Sequence, residues 1–320
     1  MMIGCHGVPS VLSVRIKRNQ MKKYIFFFLF SIAWISGHAQ TSIHINDYWD
    51  NTYYINPSSI NSSYAGVISM AARKQWIHFP GAPTTFFASG LLYLDHMHTQ
   101  FGVKAFSDNI GYTTTANIAL SYAYAVILND YWRLHLGVAA SFESLSYDPS
   151  KVRVDTQSDP FIYQKLVRVN HYNADLGTEL ASKALRFGAS SQNIFSLFFP
   201  KRDLQTNINY LYVIYRDYTQ QPLDFGLGGC GIQVQNQRQL ELNFTTYFKA
   251  DDQSDLFQLG VFYRTSSEMG FIAGINLSKS LFLSYSYDYS VGGISRSSIG
   301  SHELMIVYRF FRGQECIGCY

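Results

Sequence analysis

The chain of 320 residues is 16% aromatic but only 15% charged, and its mean hydropathy is −0.04. The small charged fraction argues against a disordered chain, and 23 glycines and eight prolines exclude collagen-like and proline-rich sequences. Beyond the first 40 residues, no apolar stretch approaches the roughly 20 residues of a membrane-spanning helix, which excludes a helical membrane protein.

The amino-terminal residues carry a predicted export signal. Met21-Lys22-Lys23 is positively charged, Tyr24 to Ile35 is apolar, and Gly37-His38-Ala39 supplies small residues before a cleavage site. This order predicts a signal peptide over residues 21–39 and makes residues 1–20 an over-extended start. No cysteine follows the cleavage point, so a lipoprotein is not expected.

Removal of this leader reverses the sign of the net charge. The whole chain has 25 basic and 22 acidic residues, and the leader holds five of the basic residues and no acidic one. The mature chain therefore has 20 basic and 22 acidic residues, a net charge near −2. A nucleic-acid-binding protein, which needs a basic surface, is not expected.

The mature chain alternates between apolar and polar residues with a period of two, which is typical of strands with two unlike faces. In Leu281–Tyr289, Leu and Tyr side chains alternate with Phe, Ser and Asp side chains. Several such segments reach the roughly nine to eleven residues that a strand needs to cross a bilayer. The predicted strands cover residues 65–77, 84–95, 99–108, 112–128, 131–147, 166–182, 184–194, 205–219, 223–235, 238–249, 256–267, 269–278, 280–290 and 301–311.

These strands predict an all-β fold, a transmembrane antiparallel β-barrel of the bacterial outer membrane with about 14 strands over residues 65–311. Only a closed barrel leaves no unpaired backbone edge in lipid. Residues 40–64 are predicted to form a periplasmic or plug segment, and residues 312–320 a periplasmic carboxyl-terminal tail. A soluble β-sandwich or lipocalin-like barrel is the alternative, which the number of long strands disfavours.

Connection lengths predict the orientation of the barrel. With the amino end of the barrel in the periplasm, odd-numbered connections face outward and should be longer. Asp148 to Lys165, Phe195 to Asp203 and Ser290 to Gly300 fit this rule, whereas Ala250 to Asp255 and Asn236-Gln237 do not. The aromatic residues expected in the interfacial rings are Trp76, Tyr93, Trp132, Tyr212, Tyr263 and Tyr289.

Charged residues of both signs share the polar face of the predicted strands. They are Arg133, His135, Glu143, Asp175, Glu179, Glu241, Arg264, Asp288, Glu303 and Arg309. About 14 strands lie between the eight that side chains fill and the 16 to 18 that leave a channel. We expect a neutralising network that packs around a plug formed by Thr41 to Ser63, and the alternative is a selective pore.

A search for catalytic and metal-binding groups gives no predicted site, so we expect no enzyme activity, cofactor or metal. Ser301-His302-Glu303 cannot form a triad by itself, because neighbours on a strand point to opposite faces. Glu303 and Arg309 are expected in a structural ion pair or hydrogen-bond network. His96-Met97-His98 with Asp95 reads as a solvated turn rather than a metal site. Cys316 and Cys319 are expected to form a local disulfide or to pair with a partner.

Short motifs along the chain carry a family resemblance. Tyr54-Ile55-Asn56-Pro57, followed by Ser63-Tyr64-Ala65-Gly66 with Ser58 to Ser62 inserted, is similar to the INPAYAG stretch of the PorP/SprF family. Arg73-Lys74-Gln75-Trp76 and Gly81-Ala82-Pro83-Thr84-Thr85 resemble its R-x-Q-W and G-A-P-x-T segments. Further matches, in the same order as in the family, are Asp108–Gly111, Tyr122–Tyr124, Phe187-Gly188, Asn193, Gly260, Tyr263-Arg264, Tyr285–Asp288 and Gly300–Glu303.

The resemblance implies an outer-membrane protein of the type IX secretion and gliding apparatus of Bacteroidetes. Such a barrel would act in secretion or in surface anchoring of cargo such as an adhesin, with other secretion components as partners. The outward loops offer apolar contacts for a partner at Phe161, Tyr163, Phe195, Phe198 and Phe199. The alternative is an outer-membrane channel for small or hydrophobic solutes, and a barrel hydrolase is a third class.

Overall fold

The computed structural model of the chain describes residues 45–148, 168–199, 206–218, 222–252, 254–291 and 298–312. The predicted signal peptide, Phe161, Tyr163, Cys316 and Cys319 lie outside these residues. Among the residues described, no helix combines the length and the apolar character needed to cross a membrane.

In the described residues, fourteen antiparallel strands form a closed barrel in which each strand pairs with its neighbours in sequence and β1 pairs with β14. The fold prediction is therefore confirmed, and the predicted strand ends differ from the observed ends by at most three residues. The strands are β1 (Gly66–Lys74), β2 (Thr84–Leu94), β3 (Thr99–Ile110), β4 (Thr113–Ile127), β5 (Arg133–Tyr147), β6 (Arg168–Ala181), β7 (Leu185–Gln192), β8 (Ile208–Arg216), β9 (Leu223–Val234), β10 (Gln237–Lys249), β11 (Asp255–Arg264), β12 (Glu268–Asn276), β13 (Leu281–Ser290) and β14 (Ser301–Phe310).

The period-two pattern gives the barrel an apolar outer surface and a polar lumen. On β5, Leu136 and Val138 are exposed on the outside, whereas His135, Ala139 and Ser141 are buried inside. The other strands follow the same alternation, and their outward-facing large apolar side chains form a continuous surface suited to lipid. A soluble protein has the opposite distribution, with apolar side chains inside and polar side chains outside.

The predicted interfacial rings are wrong at two positions. Tyr93 and Tyr212 are buried, because they share the inward face of their strands, and the Tyr212 hydroxyl bonds to Glu179 in the lumen. Tyr263 and Tyr289 are exposed on the outer surface. Tyr93 lies near the end of β2, where an aromatic residue fits either face. Tyr212 lies in the middle of β8, where both faces carry apolar or aromatic residues, so the sequence pattern does not distinguish the faces.

The connections differ in length between the two ends of the barrel. Residues 75–83, 148–167, 193–207 and 291–300 connect strands at one end, which we call the long-loop end. Three short turns, at 111–112, 235–236 and 265–267, lie at this end as well. The opposite, short-turn end holds connections of three to six residues, together with the start of β1 and the end of β14. The short helix α1 (Phe195–Phe198) lies in the long-loop connection between β7 and β8.

The amino-terminal segment lies inside the barrel. All residues from Ile45 to Ile60 are buried except Asp50, and they include a short 3-10 helix at Thr52–Tyr54. We call Ile45–Ile60 the plug. Its buried apolar residues pack against inward-facing Phe87, Phe262 and Phe282, so the lumen has an apolar layer as well as polar clusters.

Candidate functional site

A notch in the barrel wall receives the plug at its Asn-Pro motif. Gly137 on β5 and Gly177 on β6 lie directly opposite each other in the strand register. A Cβ atom at Gly137 would overlap the backbone of Pro57 and Ser58, and one at Gly177 would overlap the side chain of Asn56. The two glycines therefore let the plug approach the wall more closely than any other residue would allow.

Asn56 makes hydrogen bonds both within the plug and to the wall. Its Oδ1 accepts from the backbone N–H of Ser58 (2.9 Å) and from the Ser58 hydroxyl (2.8 Å), which closes a turn. Its Nδ2 donates to the backbone carbonyl of Thr178 (3.1 Å) and to the Tyr212 hydroxyl (3.1 Å). All hydrogen-bonding atoms of this buried amide are thus used, as burial requires.

The buried carboxylate of Glu179 on β6 contacts residues of three other wall strands, and one of these residues also bonds to the plug. Glu179 is fully buried and contacts Arg186 (2.8 Å), His135 Nδ1 (3.1 Å) and the Tyr212 hydroxyl (2.5 Å). Arg186 also donates to the Ser59 hydroxyl of the plug at 2.7 Å. Contacts with Arg186, His135 and Tyr212 compensate the charge of Glu179, as a stable buried ion requires.

A second polar cluster holds the start of the plug. The backbone N–H of Asn46 donates to both carboxylate oxygens of Glu303 (3.1 and 3.0 Å). Its side-chain Nδ2 donates to Ser286 Oγ (2.8 Å) and Asp288 Oδ1 (3.1 Å), and its Oδ1 accepts from Arg264 at 2.6 Å. Asn46 therefore contacts strands β11, β13 and β14 at once.

Two buried arginines compensate the carboxylates around Asn46. Arg73 pairs with Asp288 (2.7 Å) and Glu303 (3.3 Å), and Arg264 pairs with Glu241 at 2.5 Å. Both guanidinium groups lie almost wholly away from solvent. These charged residues neutralise one another and lie on strands β1, β10, β11, β13 and β14. The ion pair between Arg73 on β1 and Glu303 on β14 also stabilises the pairing of these two strands, which closes the barrel.

Most of the charges predicted in the lumen are found there. His135, Glu143, Asp175, Glu179, Glu241, Arg264, Asp288 and Glu303 are buried inside the barrel. Arg309 is half-buried and donates to Asn276 rather than pairing with Glu303, and Arg133 is exposed at the short-turn end. The sequence prediction missed six partners, although their strand parity indicated them: Arg73, Lys104, Arg186, Arg216, Asp224 and Lys249.

Asp47 is a plug carboxyl that has no ion pair within 4 Å among the described residues. Its Oδ2 accepts only a long hydrogen bond from Ser284 (3.5 Å), and its Oδ1 has no partner. Burial raises the pKa of Asp47 well above its ordinary value, and the nearby carboxyls of Asp50 and Glu303 raise it further. Docking of the plug therefore shifts Asp47 toward its protonated form.

The other sequence-predicted groups do not converge on a site. Asp95, His96 and His98 form an exposed turn, and the described residues contain no group of three or more potential metal ligands. Ser301 and Glu303 face the lumen, whereas His302 faces outward and contacts the Tyr285 hydroxyl through Nδ1 (2.5 Å). The three neighbours are therefore split between two faces.

An exposed apolar cluster lies at the long-loop end. Leu197 is 59% exposed and Phe198 69% exposed, and Phe195 and Phe199 beside them are also exposed. The backbone N–H of Phe195 donates to Asn173 Oδ1 (3.0 Å), which fixes α1 to the barrel wall. We call Phe195–Phe199 the apolar loop surface.

Comparisons with known proteins give a fold and a family match. The barrel is similar to CymD, a monoaromatic hydrocarbon channel, with a TM-score of 0.51 and 9% identity over 82% of this chain and 93% of that chain. It is also similar to the toluene transporter TodX of Pseudomonas putida, with a TM-score of 0.47 and 8% identity over 85% of this chain and 94% of that chain. Identities this low show the fold alone.

The model of the family described as type IX secretion system membrane protein PorP/SprF matches residues 37–308, most of the chain. No curated protein matches the chain.

Proposed function

This chain belongs to the PorP/SprF family of type IX secretion system membrane proteins, and we propose that it is a plugged, non-enzymatic barrel of the outer membrane that holds secreted cargo, such as an adhesin, at the cell surface. The observation that carries the proposal is the filled lumen. A barrel whose own segment occupies its interior through hydrogen bonds to buried polar and charged groups of the wall is suited to docking rather than to conduction.

The four longest connections all lie at one end of the barrel, as expected for an outer-membrane orientation. Barrels of this type have short periplasmic turns and longer outward loops. The long-loop end therefore faces the cell exterior, and the short-turn end, with the start of β1 and the end of β14, faces the periplasm. Periplasmic components of the secretion system would contact the short-turn end.

The apolar loop surface is the proposed contact for cargo. Leu197 and Phe198 expose most of their side chains to water at the outward end. Adjacent exposed apolar side chains on a membrane protein, beyond the lipid-facing belt, favour association with a partner that covers them. The short helix α1 presents them on a segment that Asn173 fixes to the wall.

The alternative function is a channel for small or hydrophobic solutes. It is supported by the fold shared with hydrocarbon channels, a likeness that carries no substrate to this chain. Conductance in planar bilayers separates the two functions. The plugged anchor predicts no stable open conductance from the purified barrel, and a variant that lacks residues 45–60 should conduct. A stable open conductance in the intact protein would favour the channel.

The anchoring role is tested in cells by comparing proteins at the surface with proteins in the medium, using quantitative mass spectrometry. Deletion of the gene should remove cargo from the surface, and the double substitution L197S/F198S should release cargo into the medium while the barrel stays in the membrane. Tyr131→Ser, which removes an exposed aromatic residue at the opposite end, is the matched control. Unchanged surface and medium fractions in the deletion strain would exclude the role.

A further inference from the structure

Strand β6 has an edge at the long-loop end that no other strand of the described residues covers. β6 pairs with β5 along its whole length, from Ala181 to Arg168, but with β7 only from Ala181 to Leu176. β7 ends at Gln192, and the chain then leaves the sheet and forms α1. The residues Arg168–Tyr172 therefore have a neighbouring strand on one side only.

Asn173 lies at the point where pairing on this side of β6 stops. The backbone N–H of Ile194 donates to the Ala174 carbonyl at 2.9 Å. Asn173 Oδ1 accepts from the N–H of Ala174 and from the N–H of Phe195, both at 3.0 Å. These bonds satisfy the last backbone groups of β6 that lie beside the connection from β7.

The peptide groups of Arg168, Asn170 and Tyr172 point to the uncovered side. Successive residues of a strand direct their N–H and C=O groups to opposite neighbours, and Ala174 directs its carbonyl toward Ile194. The register with β5 continues to Arg168 without a bulge, so these three residues share the direction of Ala174. No hydrogen bond within the described ranges reaches their N–H and C=O groups on this side. Such a row is a template on which another extended chain pairs, and we call it the free edge.

The free edge stands beyond the lipid-facing belt. The outward side chains of β4, β5 and β6 lie in rows across the three strands. The apolar row nearest the long-loop end consists of Ile118, Phe142 and Tyr172. The two rows beyond it are mostly polar and consist of Ala116, Ser144 and Asn170, and of Thr114, Ser146 and Arg168.

The length of β6 agrees with this boundary. The strand has 14 residues, whereas a strand crosses the hydrocarbon in roughly nine to eleven. Counted from Ala181 at the short-turn end, the membrane span ends near Tyr172, whose side chain is 72% exposed. A partner at the cell surface can therefore reach the free edge from water.

The apolar loop surface borders the free edge. α1 contacts β6, and the hydrogen bond from Phe195 to Asn173 holds this helix next to the end of the free edge. Leu197 and Phe198 are exposed on the same connection. When a peptide adds to a sheet edge, main-chain hydrogen bonds contribute affinity and side-chain contacts contribute specificity. The two features together suit an extended peptide that carries apolar side chains.

We propose that the free edge binds an extended segment of the cargo, which pairs with β6 as an added strand and places apolar side chains on the apolar loop surface. This inference rests on the proposed anchoring role and names the chemistry of the partner. The segment would pair over about five residues, the length of Arg168–Tyr172, and its backbone would supply the acceptors and donors that the free edge lacks.

The variants Asn170→Pro and Asn170→Ala test the backbone contact in cells. Proline removes the Asn170 N–H and places its ring where the added strand would lie, and it is tolerated at strand positions whose N–H has no partner. Alanine removes the side chain but keeps the N–H. The probe is the set of secreted proteins that deletion of the gene removes from the surface, quantified in the surface and medium fractions.

We expect Asn170→Pro to lower the ratio of surface to medium protein about tenfold, the effect of a lost hydrogen bond together with a steric clash. Asn170→Ala should lower this ratio far less. Asp130→Pro, which introduces proline into an exposed turn at the short-turn end, is the control and should retain the cargo.

Hydrogen exchange of the purified full-length barrel, resolved to single residues, tests the free edge without any substitution. The N–H groups of Val169 and His171 face β5, whereas those of Asn170 and Tyr172 belong to the free edge. We expect the two edge amides to exchange at least about 100-fold faster than the other two. Equal protection of all four would mean that a loop of the barrel or a second copy occupies the edge, and would overturn the proposal.

The cell experiment separates this inference from the anchoring role. Unchanged fractions after deletion of the gene exclude the anchoring role and strand addition with it. Cargo that the deletion releases but Asn170→Pro retains overturns strand addition alone. Equal release by Asn170→Pro and Asn170→Ala overturns it too, because the side chain rather than the backbone would then make the contact.

Discussion

Gly137 and Gly177 face each other across β5 and β6, and the Asn56–Ser58 turn of the plug passes directly over both of them. The glycine pair and the Asn-Pro motif are more than 75 residues apart in the chain, yet their shapes are complementary. This contact, with the clusters around Asn46 and Glu179, explains how a polar segment is retained in the lumen.

Replacing either glycine of the notch should displace the plug. In Gly137→Ala or Gly177→Ala the added Cβ meets the plug backbone or the Asn56 side chain, and neither can move without breaking hydrogen bonds. We expect faster chymotryptic cleavage between residues 45 and 60 in both variants. Gly231→Ala is the control, since its Cβ would lie 3.8 Å from its nearest neighbour, the Leu211 carbonyl oxygen. Equal cleavage rates in all three proteins would contradict the role of the two glycines in holding the plug.

Asn46→Ala should loosen the start of the plug. The variant loses the side-chain hydrogen bonds to Ser286, Asp288 and Arg264. Hydrogen bonds to charged groups contribute about 1.5–3 kcal/mol each, so docking should weaken by roughly 3 kcal/mol, or about 100-fold in the undocked fraction. Planar-bilayer recordings should show intermittent openings that the wild type lacks. A variant as silent as the wild type would show that Asn46 does not hold the plug.

Asp47→Asn should change how stability depends on pH. The pKa of Asp47 is raised in the folded protein, so the carboxyl contributes its full stability below its unfolded pKa of about 3.9. That contribution is lost as the pH rises through the folded pKa, because a charge must then be buried beside Asp50 and Glu303. Asparagine stays neutral at every pH.

We therefore expect the thermal unfolding midpoints of the wild type and Asp47→Asn to be similar at acidic pH. The variant should become the more stable protein as the pH rises. Because both proteins share every other titrating group, the difference between their midpoints reports Asp47 together with its coupling to Asp50 and Glu303. A difference that stays constant with pH would exclude a raised pKa at this carboxyl.

Glu179→Gln should destabilise the barrel as well as the plug. The substitution preserves the size of the side chain but removes the charge that compensates Arg186, whose side chain is 28% exposed. Removing one partner of a fully buried pair costs about 3–5 kcal/mol, and the partial access of Arg186 to water should reduce that cost. Heat-induced unfolding in detergent, followed by electrophoretic mobility, measures it. Arg133→Gln, which changes an exposed arginine at the edge of the lumen, is the control. An equal shift of the unfolding temperature in this variant would contradict a special role for Glu179.

The strands and their two faces could be predicted because both depend on short-range pattern. On β13, Phe282, Ser284, Ser286 and Asp288 share one face by alternation alone, and all four are buried in the lumen. The same parity placed eight of ten predicted charges inside the barrel. The family resemblance, carried by short motifs such as Tyr54–Pro57, is confirmed by the match over residues 37–308.

Alternation alone does not show what occupies the lumen or which lumen-facing groups meet. Asn56 reaches Tyr212 and Asn46 reaches Glu303 across 156 and 257 positions of sequence, and such pairs depend on the register of the closed barrel. The sequence predicts Tyr93 and Tyr212 in the lipid interface, but the structure places both in the lumen, Tyr93 beside Ile60 of the plug and Tyr212 on Glu179. The barrel wall could be predicted from the residues alone, because a period of two is a local pattern. The way the plug is held follows from the folded barrel, because its contacts join residues from strands all around the barrel.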